Sequence, residues 1–292
     1  MPARTDSLKL LGIIEGSYKP SLTELLKLAR VAQFNKLYLT YLRSVGSALR
    51  DELAREEARY KWFMSNVVEV VNALRDLDYA LYKFRKPVEH VSVDLDILVN
   101  RGDIPRALEK LRARGFRVDV AEPYTITLKR SGFIVDLYTE PSFAWVVYMS
   151  GERLLRDEYE DIELPGSVVA RALSKGAEVA VAAAHAVYKE HLVLLIDCLV
   201  VWGWLSGRAW RVAAELGVEA ALRGLLEACD LVKRGVAEAP YRLRPYTLAR
   251  AYLGKALGDP VFRATLPNAF RYLLSRRNVG AEVLGRLTRR SY

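Results

Sequence analysis

Residues 91–100, VSVDLDILVN, constrain this chain more than any other stretch. They form an apolar run with two carboxylates, Asp94 and Asp96, set inside it. Side chains alternate faces along a strand, so residues two apart point the same way. The pattern predicts a strand with Ser92, Asp94 and Asp96 on one face. Val91, Val93, Leu95, Ile97 and Val99 then line the other face, against a core. Adjacent carboxylates repel, and taking them out of water is costly unless a cation lies between them. By itself, a D-x-D pair is equally well explained as the wet side of an ordinary strand.

The flanking chain adds a third acid. Residues 124–129 and 133–138 read as strands joined by the turn Arg130-Ser131-Gly132, a hairpin by spacing and turn chemistry. In the return strand Ile134, Asp136 and Tyr138 share one face, and Phe133, Val135 and Leu137 share the other. Three carboxylates planted among strand hydrophobics invite a divalent metal, and their oxygen donors suit Mg²⁺. Just upstream of the acidic pair, residues 79–82 read as a short strand. The basic cluster Lys83, Arg85 and Lys86 follows, and then Pro87, which biases Lys86 toward an extended conformation. Downstream, Asp103 is placed to cap a helix that carries Pro105 in its first turn. Ala107, Leu108 and Leu111 form its apolar stripe, Gly115 ends it, and residues 116–120 alternate as a strand.

The rest of the chain reads as helix. Ser21 and Glu24 form a capping box ahead of Leu22, Leu25, Leu26 and Ala29. A second helix runs from Asn35 toward Gly46, and a long one covers residues 47–77. Residues 164–167 are a loop, and residues 168–204 are expected to be helical with a break near Lys175 and Gly176. This last stretch holds His185, Lys189, His191 and Asp197, for which hydrogen bonding within the fold is the expected role; Trp202, Trp204 and Trp210 are expected in the core. Arg271, Arg276, Arg277, Arg286, Arg289 and Arg290 crowd the final segment, as a solvated face or a phosphate-binding patch. The expected organisation is α+β. A small mixed-sheet region at 78–150 lies between an N-terminal helical region at 1–77, packed on it, and a C-terminal helical domain at 151–292.

Composition narrows the function. With 51% hydrophobic and 27% charged residues the chain is globular, not disordered. It has no uninterrupted apolar run of about 18 residues, so no membrane helix is expected. No signal-peptide pattern opens it, which points to the cytoplasm. Cys198 and Cys229, the only cysteines, are too few for a disulfide framework, have no zinc spacing, and suggest a reducing setting. The formal net charge of +9 favours a polyanionic partner: nucleic acid, a nucleotide or a phosphorylated substrate. Arginine outnumbers lysine and Gln33 is the only glutamine, a composition compatible with a thermophile.

The order of strand, D-x-D strand, helix, strand and hairpin resembles the minimal palm-like domain of the DNA polymerase β-type nucleotidyltransferase superfamily. The likeness is carried by YALYKFRKPVEHVSVDLDILV, by FIVDLY, and by the helix and Gly-Phe turn of residues 104–116. The segment HAVYKEHLVLLID is similar to the helical region of archaeal nucleotidyltransferase-like proteins, so the resemblance spans residues 66–201. It implies transfer of a nucleoside monophosphate from an NTP, ATP included, to a hydroxyl on RNA, protein or a small molecule. Asp94, Asp96 and Asp136 would hold two Mg²⁺ ions, or Mn²⁺, and Lys83, Arg85, Lys86 and Ser92 would contact the substrate. One departure stands out. The superfamily places a Gly-Gly or Gly-Ser pair ahead of the first two acids, whereas this turn reads Lys83-Phe84-Arg85-Lys86-Pro87. A non-catalytic nucleotide- or RNA-binding protein on a degenerate transferase fold, or a toxin–antitoxin component, are the alternatives. Phosphatase and glycosyltransferase D-x-D chemistries fit less well: Leu98 stands where the phosphatase motif wants Thr or Val, and only one strand–helix–strand unit is visible.

Overall fold

The computed structural model describes residues 5–275. The chain opens with helices α1 (Asp6–Ile14), α2 (Leu22–Phe34), α3 (Tyr38–Val45) and α4 (Arg50–Leu74). The capping box forms: the Ser21 hydroxyl accepts from the Glu24 amide, and the Glu24 carboxylate accepts from the Ser21 amide at 3.0 Å. Gly46 stops α3 at φ +56°. Helix α4 buries Phe63, Val67, Val70, Val71 and Leu74, one stripe at helical spacing.

The sheet follows. Its elements in chain order are β1 (Tyr79–Leu81), β2 (Asp94–Val99), helix α5 (Ile104–Arg112), β3 (Arg117–Ala121), β4 (Thr125–Arg130) and β5 (Phe133–Tyr138). A short hairpin, β6 (Ser142–Phe143) and β7 (Val146–Val147), precedes helix α6 (Gly151–Asp157), β8 (Tyr159–Leu164) and β9 (Val168–Leu173). One 7-stranded mixed sheet has the order β3-β4-β5-β2-β1-β9-β8, with β2 parallel to β5 and antiparallel to β1. Helices α7 (Lys175–His185), α8 (Leu195–Trp204), α9 (Gly207–Glu215), α10 (Glu219–Lys233), α11 (Pro245–Gly258), α12 (Pro260–Thr265) and α13 (Asn268–Ser275) follow, with two short paired strands, β10 (Leu192–Val193) and β11 (Tyr241–Arg242), among them. The fold is α+β, a mixed sheet flanked by helices from both ends of the chain.

The two faces of the sheet belong to separate cores. Leu95, Ile97, Val99, Val135 and Leu137 pack with α4 and α5. Tyr82, Leu98 and Tyr138 pack with the first three helices and the C-terminal helices. The acids Asp94, Asp96 and Asp136 sit at alternate positions, on the second face.

Several expectations need correction. Strand β2 begins at Asp94, so Val91 and Val93 are not strand residues, and Val93 is 63% exposed. Residues 168–173 are strand, not helix. Gly166 and Ser167, both at positive φ, form the turn between β8 and β9. The sheet therefore takes two strands from beyond residue 150. Asp103 makes no side-chain cap; its carboxylate accepts from the Asp78 amide at 3.0 Å instead. Cys198 and Cys229 form a disulfide between the packed helices α8 and α10, so the expectation of reduced, separate thiols does not hold. Trp202, Trp204 and Trp210 are half-buried against the core rather than inside it. Arg271 is exposed, and the other terminal arginines lie outside the described residues. Among the described residues no helix is long and apolar enough to cross a membrane.

Leu137 is fully buried between the sheet and α4, one residue from Asp136. Leu137→Ala is expected to destabilise the protein by about 2–5 kcal/mol in urea unfolding, through lost burial and the cavity left behind.

Candidate metal centre

The parallel pairing of β2 with β5 sets Asp96 opposite Asp136, and Asp94 lies two residues back on the same face. One oxygen from each carboxylate lies within 4.8 Å of the others. Asp96 is only 7% exposed, and its Oδ1 is buried with no hydrogen-bond partner among the described residues. The neighbouring strand contributes Thr127, opposite Asp136, whose hydroxyl donates to Asp136 Oδ1 at 2.5 Å. The Ser92 hydroxyl donates to Asp94 Oδ1 at 3.2 Å.

Burial dominates the electrostatics. It pushes the Asp136 carboxyl up to about 6; the Asp96 charge adds to this, and the Thr127 hydrogen bond opposes it. Burial also raises Asp96, against the attraction of Lys83 and with the repulsion of Asp94. Burial would raise Asp94 as well, but the cations of Lys83, Lys36 and Lys189 outweigh it and hold that carboxyl below its usual range. Clustered carboxylates with an unpartnered buried oxygen are a hard, all-oxygen donor set, which fits a divalent ion such as Mg²⁺ or Mn²⁺.

Of the basic and hydroxyl residues expected at the substrate, two touch the acids. Ser92 is one, and Lys83 is the other, with Nζ 2.9 Å from Asp96 Oδ2. Arg85 is committed elsewhere: its guanidinium donates to Glu160 at 2.6 Å and to the Leu173 carbonyl at 3.0 Å, and lies over the Trp204 ring. Lys86 lies 3.5 Å from Glu178, a fully buried carboxylate in the first turn of α7. The same Glu178 accepts from the Arg85 amide at 3.2 Å. Burial raises the Glu178 carboxyl, against the pull of Lys86.

The acids open onto cavities. One of ≈ 510 Å³ is lined by Lys83, Arg85, Lys86, Asp94 and Asp96, with Tyr60 and Phe63 of α4 as a wall. A second, ≈ 290 Å³, brings Lys36, Lys83, Lys86, His185 and Lys189 around Asp94 and Asp96. A third, ≈ 210 Å³, lies against Asp136 and Thr127, with Tyr138, Trp145 and Lys189 at its border. Burial holds His90, which lines the first two, down to about 3, with Lys86 and Lys36 adding to it, so it is neutral.

Lys36, His90 and Thr127 were not legible as site residues, and for Lys189 hydrogen bonding within the fold was expected ahead of substrate contact. Thr127 had a signal: the turn at Ser131 and Gly132 fixes a register in which it faces Asp136. Lys36 had none, since it arrives from the loop between α2 and α3. Lys189 lies in a π-helical turn, Ala186–Glu190, that follows α7, a departure from regular helix found frequently at functional sites. Asp197 and His191 do serve the fold. Asp197 accepts from the Leu194 amide at 2.9 Å, and His191 Nε2 lies 3.1 Å from the Tyr252 hydroxyl.

No family model matches the chain, and no curated protein sequence matches it. Among solved structures it is similar to the antibiotic-resistance factor ANT(2'')-Ia, determined in solution. The TM-score is 0.39 and the identity 12%, over 59% of this chain and 96% of that one. A likeness this loose carries no weight, and the reading of the site rests on the chain's own geometry.

Metal binding needs the ionised carboxylates, so Mn²⁺ affinity is expected to fall as pH drops through about 6, where Asp136 takes up a proton. In metal-free protein the sign reverses. The folded value lies above an unfolded value of about 3.9. The folded state therefore binds more protons, and this group's contribution to stability declines as pH rises from about 4 to about 6. Asp136→Asn should flatten the pH dependence of Mn²⁺ binding by calorimetry. Without metal it should melt above the wild type at pH 7 and level with it below about pH 4.

Proposed function

We propose that the chain is a metal-dependent nucleotidyltransferase that moves a nucleoside monophosphate from an NTP to a hydroxyl acceptor. The observation that carries this reading is the convergence of Asp94, Asp96 and Asp136 beside cavities lined with lysine. The ≈ 510 Å³ cavity is within the size range of small-molecule sites.

The acceptor hydroxyl oxygen attacks the α-phosphorus. The bond from that phosphorus to the bridging oxygen breaks, and pyrophosphate leaves with the electron pair. The hydroxyl proton passes to the Asp136 carboxylate, whose orientation is set by the Thr127 hydroxyl. Lys36, Lys86 and Lys189, all on the cavity wall, offset the charge of the phosphates. Asp94, Asp96 and Asp136 would hold a divalent ion, which would supply Lewis acidity against the charge that builds up at the phosphate. The ≈ 210 Å³ cavity against Asp136 is the side from which the acceptor approaches.

One observation favours a second reading, a nucleotide-binding protein without turnover: the Lys83 ammonium already occupies one oxygen of Asp96. A single assay separates the two. The wild type is incubated with each of the four NTPs and Mg²⁺ or Mn²⁺, and pyrophosphate release is measured alongside label transfer to RNA, protein and small molecules. The transferase reading expects release, lowered about 10²- to 10⁴-fold in Asp94→Ala with an unchanged circular dichroism spectrum. Metal-dependent NTP binding without release selects the second reading, and no NTP binding at all sinks both.

A further inference from the structure

Lys83 follows β1 with φ +57°, the left-handed region that disfavours any residue carrying a Cβ. Its side chain, 16% exposed, reaches Asp96, and Nζ lies 2.9 Å from Oδ2. The rings of Tyr82 and Tyr138 lie 5.3 and 5.6 Å from the same nitrogen, so the ammonium sits among their π faces. The second oxygen of Asp96 is buried and has no hydrogen-bond partner among the described residues. One oxygen of the central carboxylate is thus already used by a cation tethered to the backbone.

Charge counting points the same way. Asp94, Asp96 and Asp136 bring three negative charges, which Lys83 and one divalent ion balance.

We propose that the Lys83 ammonium is a resident cation standing in for one of two metal ions, so that the site takes a single exchangeable divalent ion. This rests on the transferase reading of the same site. It also accounts for the turn without glycine. A left-handed position that glycine would fill without cost is given to lysine because the ammonium is what the acids require. Lys83 acts through Asp96, as a positioning residue that fixes the number of metal ions.

The test counts ions. Full-length protein is mixed with Mn²⁺ and the α,β-methylene analogues of the four NTPs, and native mass spectrometry reads Mn²⁺ and nucleotide per chain. Lys83→Gly removes the ammonium at a position where glycine is unstrained, and Lys83→Arg restores a cation; melting temperatures confirm that both fold. The expected result is one Mn²⁺ per chain in the wild type and in Lys83→Arg, and two in Lys83→Gly with nucleotide still bound. Two Mn²⁺ in the wild type, or one in Lys83→Gly, overturns the proposal while leaving the transferase reading standing. No Mn²⁺ in any variant overturns both.

Discussion

Parallel strands β2 and β5 hold Asp96 opposite Asp136, and that register sends both carboxylates out from the same face of the sheet. Asp94, two residues back, adds to the crowding. Without offsetting contacts, burying such a set would unfold the strand pair or leave the acids protonated. Each neighbour answers part of that cost. Thr127 gives a hydroxyl to Asp136, Ser92 gives one to Asp94, and Lys83 gives an ammonium to Asp96. The remaining imbalance shows in Asp136, which stays at about 6 despite its hydrogen bond.

The strand pattern made most of this visible. Alternation alone put Asp94 and Asp96 on one face and Asp136 on the matching face of its own strand, and the Arg130-Ser131-Gly132 turn fixed the hairpin register. Alternation fails where composition is ambiguous. The run Val168–Leu173 is rich in small apolar residues that suit a helix equally well, and its strand character shows in burial, with Ala170 and Ala172 inside and Val169 63% exposed. Contacts between distant segments leave no local trace. Lys36 reaches the acids from an interhelical loop, and the bond between Cys198 and Cys229, 31 residues apart, depends on how α8 meets α10.

The site lies on the face of the sheet that the helices from both ends of the chain cover. Lys36 comes from the N-terminal helices, Lys83 and Lys86 from the segment between β1 and β2, and Lys189 from the turn after α7. The N-terminal helices are more than a packed appendage, since Tyr60 and Phe63 of α4 also wall the larger cavity. All three regions therefore contribute to the cationic wall around the acids.

Glu178 ties this arrangement together. It is fully buried at the start of α7, yet it accepts from the Arg85 amide and lies beside Lys86, fixing the backbone two residues after the left-handed Lys83. A buried carboxylate rarely adds net stability, and its value lies in the geometry it enforces. Here it holds the chain two and three residues beyond Lys83 through the Arg85 amide and the Lys86 ammonium. The strain at Lys83 persists because α7 holds the next turn of chain in place, as strained residues at functional sites require. Helix α7 thus contacts the segment that follows Lys83 while contributing no carboxylate to the acid cluster.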